Sequence, residues 1–74
     1  MRSTFTNRTV AALKSIAEEQ GVDPYGWFET TTADLLEAGE FDDNQLRYVL
    51  DSVKTGYADI ETTEPVLRVR LLRL

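Results

Sequence analysis

The sequence predicts an α+β fold in which a three-helix bundle is followed by a C-terminal antiparallel β-hairpin. In three stretches before residue 54, apolar residues recur every three or four positions, which is the period of a helix that buries one face. From Val66 onward, apolar and charged residues alternate, as they do in a half-buried strand. The 74 residues suit one small domain.

The first helix is predicted over residues 7–20, after a short arm at residues 1–6. Thr6 or Asn7 can cap the helix, because the side-chain oxygen of either residue accepts from the free N–H groups of the first turn. On the polar face, Lys14 and Glu18 are four positions apart and of opposite charge, so they can pair. The expected apolar face consists of Val10, Leu13, Ile16 and Ala17.

The segment that follows, residues 22–30, is rich in aromatic side chains, namely Tyr25, Trp27 and Phe28. Pro24 suits the first position of a single helical turn, and Gly26 argues against anything longer. Residues 28–30 can also form a very short strand. The three rings are expected either to cover a small core or to contact a partner protein.

The second helix is predicted over residues 31–38, with Thr31 or Thr32 as its cap and Asp34 close enough to complete a capping interaction. Gly39 is expected to end it. Its predicted inward residues are Ala33, Leu35 and Leu36. Only three residues then precede the third helix, which makes the two helices close neighbours at a steep angle.

The third helix is predicted over residues 42–55. Asp42 is a good N-cap, and Gln45 is spaced to reach back to it as in a capping box. Phe41 and Leu46 have the spacing of a hydrophobic staple. The apolar stripe consists of Leu46, Val49, Leu50 and Val53, which repeat at helical intervals.

After the stop signal at Gly56, residues 57–72 are predicted to form the hairpin, with a turn at residues 63–65. Three alternate residues of the last strand are expected to face the core: Leu67, Val69 and Leu71. Arg68 and Arg70 should point outward. This strand is also interpreted as an edge strand, Val66–Leu74, that another chain can extend.

The net charge of −5 is unevenly distributed along the chain. Residues 18–43 hold nine acids and no base, whereas residues 1–17 hold three bases and no acid. Residues 44–74 hold five bases and four acids. The acidic middle is either a solvated face or a surface shaped for a basic partner.

Several kinds of chemistry are not expected. Without cysteine or histidine, the chain lacks disulfides, the usual zinc ligands and the commonest general base. No glycine-rich phosphate loop or calcium loop is present, so we expect no enzyme activity, cofactor, metal or small-molecule ligand. No apolar run reaches the roughly 20 residues of a membrane span, and no signal peptide is visible. These features predict a cytoplasmic protein.

The order of elements resembles that of the winged helix-turn-helix superfamily. The matching stretches are Thr32–Gly39 as second helix, Asp42–Thr55 as third helix and Tyr57–Leu72 as the wing. The phrase LDSVKTGYADIE is similar to the usual exit from the third helix, with core-spaced leucine and valine, a glycine and then an aromatic residue. The resemblance implies DNA binding as the commonest use and protein binding as a less frequent one.

In that superfamily the third helix enters the major groove and the wing contacts the DNA backbone. The resemblance therefore implies that Asn44 and Gln45 read an adenine edge and that Arg47 reads a guanine edge. Tyr48 would reach a phosphate or a thymine methyl group. Further phosphate contacts would come from Lys54, Arg68, Arg70 and Arg73.

Two functions follow as hypotheses. The first is a small winged-helix DNA-binding transcriptional regulator that acts as a homodimer. Asp42 and Asp43 at the start of the third helix, and a pI near 4.5, oppose DNA binding. The alternative is an acidic protein-interaction module, such as an inhibitor or adaptor of a virus or mobile element, which binds a basic site. Its partner-binding candidates are Tyr25, Trp27, Glu37, Asp42 and Asp43.

Overall fold

The structure, a computed structural model, describes residues 4–73 as three α-helices and one three-stranded antiparallel sheet. The helices are α1 (Thr4–Gln20), α2 (Thr32–Gly39) and α3 (Leu46–Lys54), and a 3-10 turn at Asp43–Gln45 leads into α3. The strands are β1 (Phe28–Thr31), β2 (Ala58–Thr63) and β3 (Val66–Leu71). The predicted α+β class, the three helices and the C-terminal hairpin are therefore confirmed.

The sheet has the order β1-β3-β2, so β3 is its central strand. β3 pairs antiparallel with β2 on one side and with β1 on the other. The prediction that residues 66–74 form an edge strand is wrong for Val66–Leu71, because β1 occupies the side that was expected to be free. Residue 74 lies outside the described residues. The short strand expected at residues 28–30 is confirmed and extends to Thr31.

One hydrophobic core fills the space between the helices and the inner face of the sheet. Its most completely buried large side chains are Leu13, Leu35, Val49, Val53, Leu67 and Val69. The alternation predicted for β3 is confirmed, because its inward residues are buried while Arg68 is exposed. Ala33 was predicted to face the core but is exposed. The buried face of α2 is centred between Leu35 and Leu36, and Ala33 lies about 110° around the helix from that centre.

Helix α1 begins at Thr4 and not at Asn7, so an arm over residues 1–6 is wrong for its last three residues. Residues 1–3 lie outside the described part of the chain. Tertiary contacts hold the additional turn. The Phe5 ring stacks on Phe41 with centroids 5.7 Å apart, and Thr6 Oγ1 donates to the Ser52 carbonyl at 3.1 Å. A sequence pattern contains no signal for such contacts.

The ends of α2 depend on two kinds of capping. Thr31 Oγ1 accepts from the N–H of Asp34 at 3.0 Å, as predicted. At the other end, Gly39 is the last helical residue, and Glu40 adopts the left-handed conformation with φ of 57°. Gly39 is needed for a steric reason, because a Cβ atom there would lie 2.1 Å from Cε2 of Phe41.

Of the predicted cap of α3, the bond from Gln45 is present, and Gly56 follows the end of the helix as predicted, although the helix is shorter than residues 42–55. Gln45 Oε1 accepts from the N–H of Asp42 at 2.9 Å. This cap encloses the 3-10 turn, so regular α-helix begins only at Leu46. Gly56 has φ of 103°, which L-residues with a side chain rarely adopt, and it separates α3 from β2.

Candidate interaction surfaces

The outer face of the sheet carries Arg68 and Arg70, two of the cations predicted to contact phosphate. The register places Glu61 opposite Arg68 and Asp59 opposite Arg70. Arg68 Nη1 lies 2.8 Å from Glu61 Oε1, and Arg70 Nη2 donates to Asp59 Oδ2. Cross-strand neighbours thus neutralise both guanidinium groups within the sheet.

Trp27 completes this outer face. The guanidinium carbons of Arg68 and Arg70 lie 4.8 Å and 4.9 Å from the centre of its ring, within the range of cation–π attraction. Glu29, on β1, is the other cross-strand neighbour of Arg68. The face therefore holds two guanidinium groups against three carboxylates, so it carries no net positive charge that would attract phosphate.

The α3 face is a second surface, defined here as Asn44, Arg47, Tyr48 and Lys54. All four side chains are exposed, and Tyr48 is 66% exposed. Within residues 4–73, none of the four forms a side-chain hydrogen bond or an ion pair. Gln45 differs, because its side chain is engaged in the cap of the helix. The structure thus brings four of the predicted DNA-binding residues together and separates them from Arg68 and Arg70.

The α3 face borders a groove between α3 and the hairpin, with a volume of about 320 Å³. Its lining residues are Leu46, Arg47, Leu50, Asp51, Lys54, Thr62 and Glu64. In this lining, Arg47 and Lys54 are balanced by Asp51 and Glu64. Asp42 and Asp43 add further negative charge before the helix. The hairpin turn, Glu64-Pro65, contributes an acid and no base. No continuous basic strip joins α3 to the hairpin.

The acidic groove lies between α1 and α2 and has a volume of about 400 Å³. It is lined by Ile16, Glu19, Gln20, Asp34, Glu37 and Ala38, which include three carboxylates and no base. Of the predicted partner-binding residues, only Glu37 lies here. Trp27 lies on the sheet, while Asp42 and Asp43 begin the 3-10 turn before α3, so the predicted set does not form one patch.

The free charge of the molecule is mainly negative. Of the nine acids in residues 18–43, only Asp23 forms an ion pair in the described part of the chain, with Arg73 at 3.9 Å. Three side-chain cations of residues 4–73 have no polar partner: Lys14, Arg47 and Lys54. Arg8 is engaged with backbone carbonyls.

A fourth feature was not predicted. The tyrosine pocket, about 170 Å³ in volume, is lined by Val10, Lys14, Tyr25, Tyr57, Leu71 and Leu72. Tyr25 was expected at a partner-binding site, whereas Tyr57 and Leu72 were not considered. The pocket joins α1, the turn after it and both ends of the hairpin, so no single stretch of sequence signals it.

No family model matches the chain, and comparisons with curated proteins and with solved structures find no match. The fold and the surfaces therefore define the chain as a small α+β domain with a mainly anionic exterior. Within residues 4–73, no helix has both the length and the apolar character needed to cross a membrane. The same residues contain no group of three acids that could hold a metal ion.

Proposed function

We propose that the chain is an acidic protein-interaction module whose partner presents a basic surface. The observation that carries this proposal is the imbalance of free charge. In the described part of the chain, eight of the nine acids in residues 18–43 form no ion pair, whereas Arg68 and Arg70 are paired with Glu61 and Asp59.

This distribution acts on two kinds of partner in opposite ways. Carboxylates without counter-charges attract a basic protein surface and accelerate its association. They also repel the phosphates of DNA, for which a protein normally supplies free lysine and arginine side chains. In the acidic groove, three of these carboxylates, Glu19, Asp34 and Glu37, surround one concave surface. A lysine or arginine of the partner would fit this groove.

DNA binding by a winged-helix regulator is the second candidate, and the α3 face is the observation that favours it. Asn44 and Arg47 have the side chains that pair with adenine and guanine edges, and neither is engaged elsewhere in the described chain. Helix α3 carries two cations, Arg47 and Lys54, and neither has a polar partner within residues 4–73. A plot of the logarithm of the binding constant against the logarithm of the salt concentration should therefore have a slope no steeper than about −2 per protomer.

Affinity capture with charge-neutralised baits tests the first proposal. The groove variant Glu19→Gln/Asp34→Asn/Glu37→Gln removes three carboxylates with little change in side-chain shape. The control variant Glu29→Gln/Asp51→Asn/Glu64→Gln removes the same charge elsewhere. A partner that binds the wild type and the control but not the groove variant supports the proposal. Equal loss with both variants, or no specific partner, contradicts it.

A titration with duplex DNA at low salt tests the second candidate. If the α3 face binds DNA, Arg47→Ala should weaken binding about tenfold, the loss of one good base contact. Lys14→Ala serves as the control, because it removes a cation of α1 that lies away from the α3 face and has no polar partner within residues 4–73. No binding at low salt, or equal effects of the two substitutions, would exclude this use of α3.

A further inference from the structure

The outer edge of β2 is an edge of the sheet with unused backbone hydrogen-bonding groups. The N–H of Leu72 donates to the Tyr57 carbonyl at 2.9 Å, in the register that continues through β2 and β3. Because the bonds of an antiparallel ladder alternate along each strand, the N–H and C=O groups of Ile60 and Thr62 point away from β3. Among residues 4–73, these four groups have no hydrogen-bond partner.

The opposite edge of the sheet, formed by β1, is already partly occupied. The Glu29 carbonyl accepts from Gln20 Nε2 at 2.7 Å, and Thr31, the last residue of this strand, caps α2 with its side chain. β1 is also only four residues long, whereas β2 has six. An additional strand can therefore pair with β2 more readily than with β1.

The two faces of the β2 edge differ in chemistry. On the outer face, the side chains of Asp59 and Glu61 are 44% and 59% exposed, and the arginines that pair with them lie one strand further in. A strand that approaches β2 therefore meets carboxylates first. On the inner face, Thr62 lines the groove between α3 and the hairpin, where Leu46 and Leu50 supply apolar surface.

We propose that the β2 edge binds an extended segment of a partner protein in which basic and apolar residues alternate. The apolar residues lie opposite Ile60 and Thr62, exchange backbone hydrogen bonds with them and direct small side chains such as valine into the groove. The basic residues lie opposite Asp59 and Glu61, in the non-hydrogen-bonded pairs whose side chains are closest. Because a carboxylate accepts several hydrogen bonds, each acid can bind its arginine and the new cation together.

The charges at this edge argue against a second copy of the chain as the occupant. In a two-fold pairing of β2 with itself centred on Ile60, Asp59 of each copy faces Glu61 of the other. Centred on Glu61, the two Glu61 side chains face each other. Like charges directly opposite are destabilising, and an acidic segment meets the same repulsion. A basic segment has an opposite charge at both positions.

Two N-methylated peptides test the strand pairing on the wild-type protein. The probe is a short peptide of alternating lysine and valine, whose binding is measured by isothermal titration calorimetry. Methylation of the valine amides removes the donors to Ile60 and Thr62 and should weaken binding about tenfold or more. Methylation of the lysine amides leaves the same charge, blocks only the far edge of the peptide and should change binding little. Equal binding of the two methylated peptides, or no binding of the unmethylated one, would overturn the proposal.

Thr62→Pro tests the same contact from the side of the protein. It removes an N–H that points away from β3, and proline is tolerated at such positions of an edge strand. Thr62→Val keeps the N–H and is the matched control. With circular dichroism unchanged, the proline variant should bind the unmethylated peptide several-fold more weakly, and the valine variant should bind like the wild type. Self-association of the wild type that Thr62→Pro abolishes would assign the edge to a second copy and overturn the proposal.

Two variants with equal loss of charge separate this site from the acidic groove, on which the proposed function rests. Asp59→Asn/Glu61→Gln should weaken peptide binding about tenfold, because the two arginines behind these positions then repel lysine. Glu19→Gln/Glu37→Gln removes the same charge from the acidic groove and should bind the peptide nearly as the wild type does. Equal weakening by both variants would reduce binding to net charge and overturn the placement at β2. Failure of the proposed function would leave these results unchanged.

Discussion

The guanidinium group of Arg8, on α1, lies over the ring of Phe41, with its central carbon 4.5 Å from the ring centre. The same group donates to the carbonyl oxygens of Gly39 and Glu40 at 2.7 Å and 3.0 Å. These carbonyls lie at the C-terminal end of α2, where the last C=O groups have no partner inside the helix. Arg8 therefore caps α2 from a neighbouring helix and holds the turn that leads to α3.

Replacing Arg8 with alanine should lower the free energy of unfolding by about 1–2 kcal/mol, because two hydrogen bonds and a cation–π contact are lost together. Arg8→Lys keeps the charge without the planar fork and should lose part of this amount. Urea unfolding measures both variants. Lys54→Ala removes a cation that has no polar partner within residues 4–73 and is the control. Equal stability of Arg8→Ala and Lys54→Ala would show that the cap contributes nothing.

Gly39→Ala should destabilise the fold by about 1–3 kcal/mol, the usual cost of overpacking. The added methyl group would lie 2.1 Å from Cε2 of Phe41, whose ring is buried between Phe5 and Arg8. Gly26→Ala is the control, since the nearest atom there is the Asp23 carbonyl oxygen at 3.7 Å. Thermal unfolding of the two variants gives the comparison. If Gly39→Ala proved no worse than Gly26→Ala, the ring of Phe41 would be free to move aside.

Thr30→Val should raise the free energy of unfolding by about 1 kcal/mol. Thr30 is 5% exposed, and its Oγ1 is buried without a hydrogen-bond partner among residues 4–73. Valine has nearly the same shape and removes an unsatisfied polar group. Thr9→Val is the informative contrast, because Thr9 Oγ1 donates to the Phe5 carbonyl at 2.7 Å. Thr9→Val should therefore lower the free energy of unfolding. Denaturant unfolding measures both variants, and a Thr9→Val protein more stable than Thr30→Val would contradict the roles given to the two hydroxyl groups.

Local patterns were sufficient to predict the helices and the hairpin. The stripe of α3, the cap formed by Gln45, and the alternation of β3 each depend on residues close together in the chain. The central position of β3 could not be predicted in the same way. Only four residues, Phe28–Thr31, form the strand that covers its second side, and their partners are about 40 positions away.

The candidate sites depended even more on contacts that are distant in sequence. Arg68 and Arg70 have the composition of phosphate-binding residues, yet the register of β2 and β3 sets each beside a carboxylate. Trp27 directly precedes β1 and reaches the same face from the β1 edge of the sheet. Predicting which cations remain free therefore requires the strand order and the register, which a single sequence does not contain. The exposure of Arg47 needed no such knowledge, because the period of α3 alone directs this side chain outward.

Salt should stabilise the fold, because it screens the repulsion among the carboxylates of the acidic groove. Glu19 and Glu37 line one groove with Asp34, and none of these carboxylates has a counter-charge in the described residues. Their mutual repulsion opposes folding, and it weakens as the screening length falls from about 10 Å at 0.1 M salt to about 3 Å at 1 M. Adding NaCl should therefore raise the free energy of unfolding measured with urea.

Two double variants separate this repulsion from the general effects of NaCl. Glu19→Gln/Glu37→Gln should be more stable than the wild type at low salt and should gain less as salt is added. Asp59→Asn/Glu61→Gln removes acids that are paired with arginines, so this variant should be less stable than the wild type at low salt. Its gain in the free energy of unfolding with added salt should not be smaller than that of the wild type. Equal salt dependence in all three proteins would mean that the free carboxylates are too far apart to repel, and the acidic groove would then also be a weak attractor for a basic partner.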